Sequence, residues 1–200
     1  MSKICKVDGC ENKHYAKGYC RKHYDQMKKY GEIQRSRLDT NEIIEYEDYA
    51  EIILYDKNNK EKARALIDLE NIDLVKNYKW SITPQGYVYC STQSIRLHRL
   101  IAGCPKDLVV DHINHNKLDN RRENLRICTT QQNNMNQGKQ SRNTSGTTGV
   151  YWHKSERRWY ASIGIHGRLV HLGRYKTKEE AVEARRQAEI EYFGEYRRVD

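Results

Sequence analysis

Four metal-binding side chains lie close together at the start of the chain and limit how that segment can fold. They are three cysteines and one histidine, Cys5, Cys10, Cys20 and His23. Three thiolates and one imidazole are a common tetrahedral ligand set for Zn²⁺. Because residues 1–30 hold few aliphatic side chains, they could hardly bury a core of their own, and we expect them to fold around the metal. The sequence therefore predicts a structural zinc centre in a module at 1–38.

Two other interpretations of this segment stay open at the level of sequence. His14 is a rival imidazole, although its spacing to the cysteines is less regular. The four side chains could also lie without a metal in a disordered basic tail. The stretch from Cys5 to Gly31 resembles the small zinc-binding modules that precede nuclease domains in many phage proteins, and that resemblance favours zinc.

The composition favours several small modules over one large core. Of the 200 residues, 37% are hydrophobic and 32% are charged, and the mean hydropathy is −1.00. No run of apolar residues is long enough to span a membrane. No charged segment followed by an apolar one comes after Met1, so we expect an intracellular, cytoplasmic protein. In such a chain, six cysteines favour metal ligands or free thiols over disulfides.

The positive charge is concentrated in three places. Residues 1–38, 39–95, 96–145 and 146–200 carry net charges of +6, −5, +5 and +3. Basic surfaces attract phosphate backbones and release condensed counterions, so double-stranded DNA is the predicted partner. Solubility, or attraction to an anionic membrane surface, is the alternative explanation of the same charge.

The acidic segment at 39–95 has the pattern of short strands. Residues 51–55 predict a strand, and the turn formers at 84–86 predict a hairpin between the apolar runs on either side. Residues 95–101 fit either a strand or the start of a helix. We interpret the segment as a strand-rich support for the residues after it.

The most informative part of the chain is residues 109–136. A short apolar run carries Asp111 and His112 side by side, a polar loop comes next, a second strand pattern begins at Asn124, and a helix carries Asn133. Adjacent strand residues point to opposite faces, so Asp111 and His112 are expected to have different tasks. One can bind a hard cation, and the other can hold or deprotonate a water. The alternatives are that His112 is a core histidine with satisfied hydrogen bonds and that the asparagines belong to a polar linker.

This segment resembles the HNH endonuclease family, whose catalytic unit is the ββα-metal fold. The resemblance covers residues 98–136, in LHRLI and VVDHINHNKLDNRRENLRICTTQQNNMN. It implies that Asp111 is a metal ligand, that His112 is the general base and that Asn124 braces the loop and orients the base. It also implies that Asn133 is the second ligand. His98 and Arg99 resemble the upstream His-Arg pair of the family.

The physical chemistry of phosphodiester hydrolysis fits these roles. One Mg²⁺ or Mn²⁺ held by a carboxylate and an amide oxygen keeps open positions for phosphate and water. A neutral imidazole is suited to taking a proton from water at neutral pH. Nearby guanidinium groups are expected to grip neighbouring phosphates: Arg99, Arg121, Arg122 and Arg126.

The chain after Asn136 predicts a linker and a third module. Residues 137–145 are polar and have the composition of a flexible linker. Three strand patterns and a helix come after it, and Thr177 with Glu180 forms a capping box at the start of the helix. Residues 146–196 resemble the APETALA2-type DNA-binding domain of plant ethylene-response factors, although Tyr151 and other outward residues differ, so the plant target sequence does not transfer. Candidate DNA contacts are Arg157, Arg158, Arg168 and Arg174.

Together these features predict an α+β, multi-module protein. Its parts are a small zinc module, a strand-rich leader with an HNH core (39–136, catalytic unit about 96–136), and a three-stranded antiparallel sheet plus helix at the C-terminus. The resemblance implies a homing-type endonuclease of a phage or mobile element. The alternatives are a non-cleaving DNA-binding regulator or architectural protein, and a virion-associated nuclease that serves DNA packaging. The target sequence, nicking against double-strand cleavage, and a monomer against a homodimer stay open.

Overall fold

The computed structural model describes residues 4–7, 10, 12–35, 39–136 and 143–198. Within them the chain is a mixed α and β protein with several small sheets. Its helices are α1 (Arg21–Tyr30), α2 (Ile72–Val75), α3 (Leu97–Ala102), α4 (Thr130–Met135) and α5 (Lys178–Phe193). Its strands are β1 (Ile43–Glu45), β2 (Ala50–Tyr55), β3 (Glu61–Ile67), β4 (Ser81–Ile82), β5 (Val88–Cys90), β6 (Ile95–Arg96), β7 (Val109–His112), β8 (Leu125–Cys128), β9 (Val150–His153), β10 (Arg158–Ile165) and β11 (Arg168–Tyr175). No helix of this described part is long and apolar enough to cross a membrane.

The N-terminal segment has little regular structure before α1. Two isolated antiparallel bridges precede the helix, the first between Ile4 and Lys13. Helix α1 ends at Gly31, whose left-handed backbone (φ 77°) lets its N–H donate to the Met27 carbonyl. The buried side chains of this described segment are three of the predicted zinc ligands, Cys5, Cys20 and His23.

The largest core is built by two three-stranded antiparallel sheets, β1-β2-β3 and β4-β5-β6. Trp80, which is 2% exposed, lies in this core and satisfies its indole N–H by donating to the Val75 carbonyl at 3.0 Å. The sheets and the helices α2 and α3 contribute the other buried side chains, among them Ile52, Leu54, Ile67, Val88 and Leu97. The segment that fitted either a strand or a helix is mostly helix, since α3 begins at Leu97.

Strands β7 and β8 and helix α4 occur in the order predicted from the sequence. The two strands pair antiparallel, with Asp111 opposite Arg126. Thr129 caps α4, because its side chain accepts from the Gln132 N–H while the Gln132 side chain accepts from the Thr129 N–H. Loss of such a cap typically costs about 1 kcal/mol. A strand, a loop, a second strand and a helix therefore follow one another in this part of the chain.

The loop between β7 and β8 is anchored to β3. The Leu66 N–H donates to the Leu118 carbonyl at 2.8 Å, and the Asn120 N–H donates to the Leu66 carbonyl at 2.9 Å. The Arg122 N–H donates to the Asp68 carboxylate at 2.8 Å. The leader sheet thus fixes the loop that carries the candidate catalytic side chains.

The C-terminal part has three antiparallel strands in the order β9-β10-β11, with α5 packed on one face. Thr177 and Glu180 form the predicted capping box of α5, and the helix ends at Gly194. Met135 of α4 packs against the cluster of Ile163 and Phe193, so this sheet and helix contact the preceding motif. Of the predicted linker, 137–142 lies outside the described residues.

Replacing Gly149 with Ala is expected to destabilise the C-terminal sheet strongly. Its φ is +77°, and an added Cβ would overlap the Ser162 carbonyl oxygen and lie 2.8 Å from the Arg185 guanidinium. Arg185, 5% exposed, donates to that same carbonyl at 2.5 Å, so the crowded atoms have no room to shift. We expect a loss of at least about 2 kcal/mol by thermal or urea unfolding.

Gly146→Ala is the matched control for this substitution. Gly146 also has a positive φ, +82°, but nothing lies within 4 Å of an added Cβ. It should cost only the backbone strain of about 1–2 kcal/mol. Equal losses in the two variants would show that the contact with Ser162 is unimportant.

Candidate active site

The end of β7 opens onto a polar cavity of about 280 Å³. Asp111 and His112, which are 7% and 5% exposed, both line it. Neighbouring strand residues normally point to opposite faces, but β7 ends at His112, where the chain turns into the loop. Asn133 of α4 lines the same cavity. The fold therefore brings together three residues that the sequence predicted for one site.

The His112 ring is held by Asn120, a residue that sequence reasoning did not single out. The His112 Nε2 lies 3.5 Å from the Asn120 Oδ1, and Asn120 is completely buried. The Asn120 amide also donates to the Leu118 carbonyl at 3.1 Å, which fixes its orientation. Burial lowers the pKa of His112 below its ordinary value, against the opposing effects of Asn120 and Asp111. The imidazole is therefore neutral, and able to accept a proton, at neutral pH.

Asn124 fastens the two ends of the β7–β8 loop. Its Oδ1 accepts from the Asn114 N–H at 2.9 Å, and its Nδ2 donates to the Asp119 carbonyl at 2.8 Å. The two bonds tie Asn124 to both Asn114 and Asp119, while its predicted role in orienting the base stays a prediction. Its effect on His112 passes through the loop, because the direct contact belongs to Asn120.

His98 of α3 lies beside the candidate base. Its ring packs edge-on against His112, with centroids 5.0 Å apart, and it is 3% exposed. Burial, with a smaller contribution from the positive charge that His112 can carry, lowers the pKa of His98 to about 3, so this ring is also uncharged. Within the described residues its Nδ1 is buried without a hydrogen-bond partner.

The Asp111 carboxylate is fully engaged by two neighbouring side chains. The Asn136 Nδ2 donates to both carboxylate oxygens, at 3.1 and 2.9 Å, and the Arg126 guanidinium pairs with Oδ2 at 2.5 Å. A carboxylate and the amide oxygen of Asn133 on one polar cavity are a donor set that suits a hard divalent cation. The residues present therefore fit the predicted metal, provided that the cation replaces Arg126 as the counter-charge of Asp111.

The four predicted zinc ligands converge in the N-terminal segment. The Cys5 Sγ lies 3.3 Å from the His23 Nδ1, the sulfurs of Cys10 and Cys20 are 3.9 Å apart, and all four ligand atoms lie within 4.8 Å of one another. Ligands of a tetrahedral zinc are separated by about 3.8 Å when they are sulfurs, so the cluster fits Zn²⁺. His14, the rival ligand, instead accepts from the Gly18 N–H at 3.0 Å.

The thiol pKa values of two cysteines in the cluster bear on metal binding. Burial acts to raise the pKa of the Cys5 thiol, but hydrogen bonds from His23 and from backbone groups outweigh it and lower the pKa to about 6. The thiolate is the form that binds metal. Burial raises the pKa of Cys20, so that thiol needs the positive charge of the ion before it gives up its proton.

Comparison with known proteins bears on the cavity residues. A family model described as HNH endonuclease matches residues 96–135, the span that holds His98, Asp111 and Asn133. An uncharacterized HNH endonuclease of Acanthamoeba polyphaga mimivirus is 34% identical over 139 residues, which make up 66% of this chain and 72% of that protein. The chain belongs to the HNH endonuclease family. It is a nuclease.

A second relative covers less of this HNH endonuclease. Protein 3.8 of Escherichia phage T7 is 33% identical over 64 residues, which are 32% of this chain and 53% of the phage protein. No solved structure matches the chain significantly. The Cys/His cluster and the C-terminal sheet lie outside the residues that the family model matches.

Four arginines near the site of this HNH endonuclease are predicted to bind phosphates. In the structure each of them makes hydrogen bonds or ion pairs with other groups of the protein. Arg126 pairs with Asp111, donates to the Glu195 carbonyl and lies over the Tyr196 ring. The other three bind loop carbonyls or carboxylates: Arg99 binds the carbonyls of Leu108, Cys104 and Pro105, Arg121 pairs with Asp119 and Glu123, and Arg122 pairs with Glu70. Phosphate contact by these residues stays a prediction.

The C-terminal candidates are divided between the two faces of their sheet. Arg158 and Tyr160 are two residues apart on β10, so both lie on the same face, the one away from α5. On this face the Tyr160 ring stacks on the Tyr151 ring, with centroids 5.5 Å apart. Arg174 is opposite Tyr160 on this face and pairs with Glu156 at 3.1 Å. Two other candidates lie elsewhere: Arg168 is opposite Ile165, whose side chain packs on the α5 side, and Arg157 lies in the β9–β10 turn.

Several cavity residues were missed by sequence reasoning. Asn120 and Asn136 contact the candidate base and the candidate metal ligand, and Tyr87 and Lys117 line the cavity. The two asparagines lie in a stretch rich in asparagine, where no spacing distinguishes them. Tyr87 comes from a different hairpin, so only the tertiary fold brings it to the site.

Proposed function

We propose that the protein is a metal-dependent DNA endonuclease that hydrolyses a phosphodiester bond with a water activated by His112. The observation that carries the proposal is the meeting of Asp111, His112 and Asn133 on one polar cavity in a chain of the HNH endonuclease family. The products would be a 3′-hydroxyl and a 5′-phosphate. Asn120 and Asn124 are positioning residues in this account, since they hold His112 and its loop.

The proton path is set by the contact with Asn120. When the His112 Nε2–H donates to the Asn120 Oδ1, its Nδ1 remains as the acceptor. Nδ1 takes the proton of the attacking water, the water oxygen forms a bond to phosphorus, and the bond to the 3′ oxygen breaks. The 3′ oxygen then takes a proton from solvent, so atoms and charges balance. A base of this kind typically contributes about 10²–10⁴-fold to the rate.

Asp111 and Asn133 would hold the cation, Mg²⁺ or Mn²⁺. A divalent ion bound there supplies positive charge for the phosphate and for the departing oxygen. The ion pair between Arg126 and Asp111 keeps the buried carboxylate neutralised until then.

The C-terminal sheet and helix would target the nuclease to DNA. The face away from α5 carries Arg158, Arg174 and three aromatic or imidazole rings, Tyr151, His153 and Tyr160. Tethering such a DNA-binding domain to a nuclease raises the local concentration of DNA at the cleavage site. The N-terminal zinc module adds a second basic surface.

Incubation of the protein with supercoiled plasmid tests the proposed activity. With Mg²⁺ or Mn²⁺ we expect nicked or linear DNA, and with EDTA we expect none. Retarded DNA without cleavage, on the plasmid and on DNA from the source locus, would favour the DNA-binding regulator instead.

Arg158→Ala is expected to weaken DNA binding by removing a phosphate contact. The plot of log affinity against log salt should become less steep, by about one unit of slope. Fluorescence anisotropy with a labelled duplex over a series of NaCl concentrations measures both effects. Arg186→Ala is the matched control, because Arg186 is exposed on α5, the element behind the sheet. Equal losses in the two variants would contradict the assignment of this face.

A further inference from the structure

Two cations share one aromatic ring at the mouth of the catalytic cavity. The Lys117 Nζ lies 4.4 Å from the centre of the Tyr87 ring, and the Arg96 guanidinium lies 5.1 Å from it. Tyr87 and Lys117 line the cavity together with His112, and Arg96 is exposed beside them. Tyr87 comes just after the turn of the β4–β5 hairpin and Lys117 lies in the β7–β8 loop, so the cluster joins two separate parts of the fold.

The charge of this cluster is not neutralised by any carboxylate in the described part of the chain. Among the residues that the structure describes, neither Arg96 nor Lys117 has a carboxylate within 4.0 Å. The Lys117 Nζ donates to the Gln85 carbonyl, at 2.9 Å. In contrast, Arg121 and Arg126 are paired with carboxylates. The cluster therefore supplies uncompensated positive charge beside the cavity.

The position of the ring relates this charge to the candidate base. The Tyr87 centroid lies 5.3 Å from that of His98 and 6.1 Å from that of His112. Two cations on one ring repel each other, and an anion between them removes that repulsion. DNA presents one phosphate per nucleotide, so a phosphate that neighbours the scissile one lies one nucleotide away from the phosphate that faces His112.

We propose that Tyr87, Arg96 and Lys117 form a clamp that binds a DNA phosphate next to the scissile phosphate. The inference rests on the proposed nuclease function and adds the substrate contacts that the cavity makes. Lys117 and Arg96 bind the phosphate oxygens, and Tyr87 is a positioning residue that holds both cations in place. The clamp therefore sets which phosphodiester bond faces His112.

Lys117→Ala and Lys117→Arg test the clamp, with Lys106→Ala as the control. Lys106 is an exposed lysine in the loop between α3 and β7. We expect Lys117→Ala to make the plot of log affinity against log salt less steep, by about one unit of slope. Fluorescence anisotropy in EDTA measures this slope. Lys117→Ala should also lower the single-turnover cleavage rate at saturating protein by at least about tenfold, because the scissile bond is misplaced. Lys117→Arg should restore the slope, and Lys106→Ala should match the wild type.

Tyr87 gives a second test that separates clamping from folding. Tyr87→Phe keeps the ring and should keep slope and rate, whereas Tyr87→Leu should resemble Lys117→Ala at an unchanged melting temperature. A wild-type slope and rate in Lys117→Ala would overturn the clamp while leaving the nuclease proposal intact. If the wild type cuts no DNA and Lys117→Ala still binds DNA with a less steep salt dependence than the wild type, the clamp is supported and the nuclease proposal is overturned.

Discussion

Replacing His112 with Asn should lower the rate of DNA cleavage by about 10²–10⁴-fold, the usual contribution of a general base. DNA affinity should stay within about twofold of the wild type, because His112 is 5% exposed and offers little surface to the DNA. Asn has a similar polar end and can still hydrogen-bond to Asn120, so the loop should keep its shape. Single-turnover cleavage and anisotropy measure the two quantities.

His166→Asn is the matched control for this experiment. His166 lies in the exposed β10–β11 turn with a φ of 49°, a backbone conformation that Asn tolerates. It should cleave at the wild-type rate. A rate in His112→Asn within about threefold of the wild type would remove His112 from the role of base.

Replacing Cys20 with Ser should cost the protein its zinc and the fold of the segment before Gly31. Cys20 is 3% exposed and lies at the start of α1, and its sulfur is one of four converging ligand atoms. A zinc module of this kind draws about 10–16 kcal/mol of apparent folding free energy from the metal. We expect the zinc content to fall from one ion per chain to well below one, and proteases to cleave between residues 4 and 31.

Cys104→Ser separates this effect from the general loss of a thiol. Cys104 lies in the loop after α3, far from the cluster in sequence, and its thiol donates to the Pro105 carbonyl. It should keep one zinc and the wild-type proteolysis pattern. Full zinc in Cys20→Ser, measured by elemental analysis, would contradict the ligand set.

Local sequence patterns predicted much of the fold because the physics that fixes them is local. Thr129 and Thr177 cap their helices through backbone groups three residues away, so the capping signal lies within four residues. The convergence of Cys5, Cys10, Cys20 and His23 was predictable for a related reason, since a metal demands a ligand set that few residue types can supply. The strands of the C-terminal sheet were predictable because turn formers separate them.

The details of the candidate site depend on tertiary contacts that no local pattern encodes. Alternation along a strand suggested that Asp111 and His112 face apart, but both line the cavity because β7 ends at His112. The predicted phosphate ligand Arg126 is tied to Asp111 and to a turn just after α5, about 70 residues later. Tyr87 reaches the site from another sheet. Such contacts result from packing, which the sequence shows only once the chain is folded.

The Mg²⁺ concentration dependence of single-turnover cleavage tests the proposed catalytic centre most directly. Wild type, Asn133→Ala and the neighbouring control Asn134→Ala would be compared from micromolar to millimolar Mg²⁺. Asn133 lines the cavity with Asp111, so its loss should raise the Mg²⁺ concentration for half-maximal rate by at least about tenfold, while Asn134→Ala should match the wild type. Wild-type Mg²⁺ dependence in Asn133→Ala, or no cleavage by the wild type at any concentration, would contradict the proposed site.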